Sequence, residues 1–409
     1  MLLLVLPVAA HSAADTESVL TLSDAQAIAV ANAPMIEARE AGIAAASEDL
    51  VRADALPDPV LFVGVQNLPV GGPDAYTLDE DPMTMRRIGV FQVLPSRAKL
   101  DARQESAQAT RTQAEAGKVV SVLEVKRATA AAWIDAWAAE KERGLLIELR
   151  EQASLAINMA KARLQGGEGS ATEVLAARSA ELDLANRIDD AQARIEQARA
   201  GLARWLPQVE LDNLGDAPDF SALPQAETEL LEHLDQQGPL LVWDAREDAA
   251  DAALNAAKAE KRPDWSIGTG FARRGGDASN VVWLEVGIGL PMFPADRQDR
   301  GVNARRSDLQ AVRAAREDAR RIQLEQVRRQ LADWAVLGRK VERFETGILP
   351  LERDRSAAAL AAYSGGAPLS EWLDARRDEI SIRVDYARLL ADWGQAWAAL
   401  AWLLPAEGV

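Results

Sequence analysis

The chain contains no cysteine. That removes disulfides, thiolate metal sites, cysteine nucleophiles and a lipid-anchored N-terminal cysteine together. Histidine is almost as scarce. Only His11 and His233 occur, neither has a second histidine at ligand spacing, and no Ser/His/acid set has a usable histidine. Gly268-Thr269-Gly270 lacks the third glycine and following helix of a dinucleotide fingerprint, so an enzyme is the weakest reading. Basic residues are outnumbered, 46 Lys and Arg against 63 Asp and Glu for a net charge of −17, which argues against nucleic acid because phosphate binding needs clustered Lys and Arg in excess. Positively charged solutes or simple solubility fit that charge. No run approaches the roughly 18 apolar residues of a spanning helix, so this chain can cross a membrane only as a β-barrel. Aromatics are 5% of residues. What remains is rich in alanine, glutamate, arginine and leucine, the profile of long helices.

The clearest feature present is a repeat. The stretch Ala162 to Pro207, laid 198 residues downstream, falls on Leu360 to Pro405. The copies contain RLQGGEGSATEVLAARSAELDL and AYSGGAPLSEWLDARRDEISIR, and Leu175 and Leu373, Ala177 and Ala375, and Arg178 and Arg376 coincide. In each, a Gly-Gly pair (Gly166-Gly167, Gly365-Gly366) opens a polar turn and a helix of about 35 residues runs to a proline. Each is expected to be one arm of a helical hairpin, and the two together imply a duplicated architecture.

Met1 to Ala14 has a short apolar core followed by small residues, the pattern of a secretory signal, without a basic n-region. From Thr21 a helix is expected with Ser23 or Asp24 as N-cap, running to about Ala55 and kinked or restarted at Pro34. The period then changes to that of strands at about 60–68 and 86–94, joined by a long polar loop. From Ser96 to Leu164 no proline occurs, and a helix of that length is a rod of roughly 100 Å. The Gly166-Gly167 turn reverses it into the arm 171–206, and a linker follows at 208–225. The second half restates the first: a helix to about Arg262, strands at about 265–273 and 281–290, a rod from about Asp296 kinked at Pro350, the Gly365-Gly366 turn and a last arm to Leu404. The expected organisation is a signal at 1–14, one repeat at 20–207, the linker, and a second repeat at 226–405.

A two-stranded hairpin is not stable alone. In the third strand Trp265, Ile267, Thr269 and Phe271 point one way and Ser266, Gly268, Gly270 and Ala272 the other. In the fourth, Val282, Leu284, Val286, Ile288 and Leu290 share a face. One apolar and one small or polar face over about ten residues is the signature of a membrane β-barrel strand. The first two strands alternate poorly, and a four-stranded sheet packed on helices fits the pattern equally well. Four strands cannot close a barrel; three chains would supply twelve.

At this point the chain resembles the TolC-type outer-membrane efflux channels (outer membrane factors) over about residues 20–404. The residues that carry the resemblance are the duplicated order of elements, the Y-x-G-G-x(4)-E-x-L-D-A-R turn from Tyr363 to Arg376, and its partner from Gly166 to Arg178. Leu56-Pro57-Asp58-Pro59, Gln66-Asn67-Leu68-Pro69, Gly72-Pro73-Asp74-Ala75 and Met83-Thr84-Met85-Arg86-Arg87 look like the heavy-metal efflux branch. The resemblance implies a mainly α fold with a membrane β-barrel: a homotrimer with a 12-stranded barrel in the outer membrane and a 12-helix tunnel through the periplasm. It further implies a passive exit duct without cofactor, docked on a periplasmic adaptor and an inner-membrane pump of the RND type, and exporting heavy-metal cations. The pore entrance would be ringed by Glu371 and Asp374, which share a helix face and would present six carboxylates in a trimer, as acidic rings do in cation channels. Glu173 is the first-repeat counterpart. Ala176 stands where its second acid would be, and Ala367 where a basic residue is often found. The turns Gly166-Gly167 and Gly365-Gly366 would dock the adaptor.

Each site has a plainer reading. Glu371 and Asp374 also suit an ordinary solvated helix face near Arg376 and Arg377, and the Gly-Gly pairs are helix C-caps whatever else they do. Met83 and Met85 are soft donors without a visible third ligand, Trp265 and Phe271 suit interfacial aromatics, and His233 suits a surface helix. A periplasmic adaptor or soluble helical-hairpin scaffold would explain the helices but not four strands at matched positions.

Overall fold

In a computed structural model, residues 19–405 are described, apart from Asp212 and the side chain of Gln152. The expected signal at 1–14 and His11 lie outside the described residues. The fold is mostly helical with one antiparallel four-stranded sheet. Helix α1 (Leu22–Asn32) is capped by Thr21, whose hydroxyl accepts the Asp24 N–H at 3.2 Å. The cap therefore precedes the expected Ser23 or Asp24, because Asp24 sits three residues on and donates the hydrogen bond. Ala33 is extended, as a residue before proline must be, and α2 (Pro34–Ala53) restarts at Pro34. Strands β1 (Val60–Gln66) and β2 (Met85–Leu94) follow, then α3 (Arg97–Glu148), α4 (Arg150–Gln165) and α5 (Ala171–Ala203). After the short helix α6 (Glu227–Glu232) come α7 (Gly238–Ala259), β3 (Trp265–Arg274), β4 (Val281–Ile288), α8 (Gln298–Arg343), α9 (Leu349–Ser364) and α10 (Leu369–Ala401).

Neither rod is continuous. The first breaks at Leu149, where no proline stands. The Leu149 N–H reaches back to Leu146 O at 3.2 Å, tightening the ladder, and the Arg376 guanidinium donates to the Leu149 carbonyl at 3.3 Å. The same carbonyl also accepts the Ala153 N–H at 3.2 Å, so the guanidinium joins the backbone at the break without displacing a ladder bond. The second rod carries a π turn at Phe344–Ile348. Pro350 lacks the N–H that Thr346 O would accept and its ring crowds that carbonyl, so the distortion lies upstream of the proline. Arms α5 and α10 have 33 residues each and start 198 apart (369 − 171). The turns before them are unequal, three residues between Gly167 and Ala171 but two between Gly366 and Leu369. A shift of 198 thus superposes the arms and misses the glycine pairs by one residue.

The chain forms two compact units. One contains the segment to Ile36, Ser121–Gln237 and the segment from Leu324. Its largest core gathers Trp133, Ile134, Leu202, Leu206, Phe220 and Trp397, with Trp137, Trp205, Trp334, Trp393 and Trp402 against it. The linker is fastened here by indole N–H groups: Trp334 Nε1 donates to Phe220 O at 2.8 Å and Trp397 Nε1 to Ala222 O at 2.8 Å. Leu20 makes a parallel bridge with Leu214. Gly394 is required for this packing, since a Cβ there would lie 2.7 Å from Ile134 Cγ2 and 2.8 Å from Phe220 Cζ.

The other unit, Glu37–Val120 and Gly238–Gln323, holds the sheet, in the order β1-β2-β3-β4 with every pair antiparallel. Register sorts its side chains into two faces. Leu61, Val63, Val65, Ile88, Val90, Trp265, Ile267, Phe271, Val282, Leu284, Val286 and Ile288 share one, and all are exposed. The sheet is therefore not packed on helices through its apolar face. All five strand glycines, Gly64, Gly89, Gly268, Gly270 and Gly287, are on the other face with Arg87, Ser266 and Glu285. There Phe62, Gly89, Gly270 and Trp283 form one row, and the Phe62 and Trp283 rings lean across the glycines to a centroid distance of 5.3 Å. Aromatics filling glycine gaps explain why the first two strands alternate so poorly in sequence. The sheet is anchored where β3 begins. Asp264 accepts from Lys99 Nζ at 2.9 Å and Ser96 N at 3.1 Å; burial opposes ionisation, but these hydrogen bonds outweigh it and hold the carboxyl below its usual range.

Candidate functional site

Both polar turns lie in the first unit, and both need glycine at one position. Gly167 and Gly366 have φ of +77° and +107°, where a side chain is strained, while Gly166 and Gly365 are at −75° and −87°. Amides of each turn close back on the last carbonyls of the preceding helix. Glu168 N reaches Arg163 O at 3.0 Å and Ala367 N reaches Ala362 O at 3.0 Å, as Schellman-type ends do. Helix α5 starts on Ser170, whose hydroxyl accepts the Glu173 N–H at 3.2 Å; α10 starts after Pro368 with no side-chain cap.

The two turns are tied together. Arg163 Nη1 donates to Tyr363 O at 2.7 Å, and its guanidinium sits 4.8 Å from the centre of the Tyr363 ring. Tyr363 is 0% exposed and its hydroxyl has no hydrogen-bond partner. Burial pushes the phenol pKa up, the Glu173 charge adds to this, and Arg163 opposes it. Glu173 is thus half-buried beside the tie, one carboxylate oxygen shielded from solvent, rather than displayed as an open acid. Trp372 and Leu369, both buried, join Tyr363, Ala160 and Ala177 in one apolar cluster.

Glu371 and Asp374 flank Trp372 on α10, and both are exposed. Asp374 has Arg377 Nη1 at 3.4 Å, an exposed pair of the kind worth about 0–1 kcal/mol. Arg178 and Arg376, coincident in sequence, differ in setting: Arg178 is exposed and Arg376 is 5% exposed. Arg376 Nη1 lies 2.6 Å from Glu379, which is bound in turn by Arg383 at 2.8 Å, and Arg383 reaches Glu148 at 3.1 Å. On the same helix, Tyr386 donates to Glu345 in the π turn at 2.7 Å. Sequence reasoning missed this chain of contacts, and with it Arg163 and Tyr363 as partners. The Y-x-G-G string was the available signal for Tyr363; nothing local marks Arg376 as buried.

Elsewhere, Met83 is exposed in the loop before β2 with the Arg274 guanidinium 3.9 Å from its sulfur, a poor setting for a cation. Among the described residues no group of three or more His, Cys, Asp or Glu is placed to hold a metal ion, and no helix is long and apolar enough to cross a membrane. Trp265 and Phe271 are exposed on the apolar sheet face, and exposed His233 ends α6.

No protein-family profile matches the chain, and no curated protein matches it. Solved structures do. The fold is that of outer-membrane channels, and the expected resemblance to TolC-type efflux channels holds at the level of fold. CusC, described for the conformational changes of its folding and transmembrane channel formation, is 17% identical over 94% of this chain and 92% of its own, with a TM-score of 0.78. The outer-membrane channel OprN is 18% identical over 93% and 88%, with a TM-score of 0.77. The Campylobacter jejuni CmeC outer membrane channel is 14% identical over 93% and 85%, with a TM-score of 0.75.

Proposed function

We propose that the chain is one subunit of a homotrimeric, passive exit duct in the outer membrane, continued into the periplasm and serving a tripartite efflux system with a periplasmic adaptor and an RND-type pump. The observation that supports it best is the sheet. Its apolar face is exposed on all four strands, its opposite face carries all five strand glycines with Arg87, Ser266 and Glu285, and β1 and β4 leave unpaired edges. Unpaired edges invite further strands, and in lipid every backbone group must be satisfied, so only a closed barrel serves. Two more copies complete twelve strands, each half of the chain supplying one hairpin and one helical arm. A soluble scaffold would leave that apolar face in water.

In this reading the turns at Gly166-Gly167 and Gly365-Gly366 meet the adaptor, and Glu371 and Asp374 line the periplasmic entrance, joined by Glu173 only where its shielded carboxylate is uncovered. The cargo is heavy-metal cations. The Leu56–Arg87 hairpin motifs, which look like the heavy-metal efflux branch, support this. The duct would conduct such ions electrostatically. Replacing Glu371 and Asp374 with alanine should lower cation selectivity in planar bilayers and raise leak; an unchanged reversal potential would refute the acidic entrance.

A further inference from the structure

On the apolar sheet face, the hydrophobic residues of the two central strands, β2 and β3, give way to charge at one end. There Arg86 of β2 and Arg273 of β3 stand directly opposite each other in the register, on the same face as Ile88, Val90, Ile267 and Phe271. Like charges directly opposed across a strand pair are destabilising, and arginine facing hydrocarbon is costlier still. The other polar groups of this face are accounted for: Thr269 Oγ1 donates to Trp283 O at 3.1 Å and Gln92 Nε2 to Pro57 O at 2.6 Å. The arginine pair is only half compensated. Arg86 has an ion pair with Asp79 while its Nε is buried and unpartnered. Arg273 is exposed, and Arg274 beside it points to the opposite face, held by Pro82 O at 3.0 Å. The acidic residues near this end are Asp79, Glu80, Asp81 and, in the β3–β4 loop, Asp277; Asp79 alone pairs with Arg86.

The position selects the ligand. Arg273 lies eight residues from Trp265 along β3, roughly 26 Å at strand rise and about 20 Å of height at the tilt of barrel strands, which covers most of the apolar band of a membrane barrel. The arginines therefore stand at one edge of that band and Trp265 at the other. The hairpin loops adjoin the arginine edge, and the helices adjoin the Trp265 edge, since α3 follows Leu94 and α7 precedes Trp265.

We propose that Arg86 and Arg273 form a headgroup site for a phosphate-bearing lipid of the leaflet on the loop side, three such sites ringing the trimer. The inference rests on the barrel reading above. A phosphomonoester accepts from two guanidinium groups at once, relieves their repulsion, and keeps its acyl chains against Ile88, Val90 and Phe271.

The test uses the full chain purified in mild detergent, incubated with a bisphosphorylated lipid A or its dephosphorylated counterpart, and examined by native mass spectrometry. Wild type should retain the phosphorylated lipid preferentially. Arg273→Gln should weaken retention roughly five-fold, and Arg86→Gln/Arg273→Gln roughly thirty-fold, from the contribution of each arginine near an anionic surface. Equal retention of both lipids, or no change in the double variant, overturns the proposal. So does inorganic phosphate displacing the lipid at millimolar concentration, which would make this a free-phosphate site. Conductance of the same samples separates the two levels. Variants that conduct normally while lipid preference is absent in wild type defeat the headgroup site alone, and a wild type that neither assembles nor conducts defeats the barrel.

Discussion

Glu379 offers the sharpest test of how the arms are held. It is 3% exposed and lies between Arg376 at 2.6 Å and Arg383 at 2.8 Å. Burial pushes the Arg376 guanidinium pKa down, and Glu379 opposes that shift. Glu379→Gln keeps shape and one acceptor but leaves Arg376 charged, buried and hydrogen-bonded chiefly to Leu149 O at 3.3 Å. Removing one partner of a buried pair costs about 3–5 kcal/mol. Arg383 suffers less, since it retains Glu148 at 3.1 Å on a more open surface. The paired replacement Arg376→Met/Glu379→Met removes both desolvation penalties and should recover most of that loss. Urea unfolding followed by tryptophan fluorescence measures both, because the Trp133–Trp397 core belongs to the same unit. A Glu379→Gln variant within about 1 kcal/mol of wild type, or a double variant no better than the single one, would refute the reasoning.

The turns predict a contrast in thermal melts. Gly167→Ala should cost about 1–2 kcal/mol because φ is +77°, whereas Gly166→Ala at φ −75° should be nearly neutral; equal effects would mean the turn rearranges. Gly270→Ala puts a Cβ 2.4 Å from Ile88 O and 2.7 Å from Gly89 Cα, so it should abolish heat-resistant assembly on gels, and intact assembly would show the sheet to be looser than described. Asp135 is pushed above the usual carboxylate range by burial, a hydrogen bond from Gln395 opposing this and the Asp392 charge adding to it. A carboxyl raised in the folded state costs stability above its folded pKa and nothing below its unfolded value near 4. Asp135→Asn should therefore raise the melting midpoint at pH 7, and the gain should fade as pH falls towards about 4.

Much of the fold was legible because its signals are local. Glycine pairs, prolines and the period of apolar residues placed each strand and both arms within a few residues, and alternation in β3 and β4 predicted one apolar face without deciding whether helices cover it. The break at Leu149 was not legible, since no proline marks it and the guanidinium that meets its carbonyl, Arg376, is 227 residues away. Nor was the tryptophan core: a chain with few aromatics overall concentrates them against one linker, and composition averages that away. At the turns, Glu371 and Asp374 were pointed to by the family resemblance, spacing alone also fitting an ordinary solvated face, and both are exposed on α10. Glu173 aligns with Glu371 yet is half-buried, near the Arg163–Tyr363 tie that only the fold brings together.

The central claim is that three copies of this chain form a channel. Single-channel recording in planar bilayers, with the detergent-solubilised mass taken on the same sample, tests it most directly. The account predicts a particle of three chains giving small, cation-preferring currents. A soluble monomer or dimer that passes no current would contradict it.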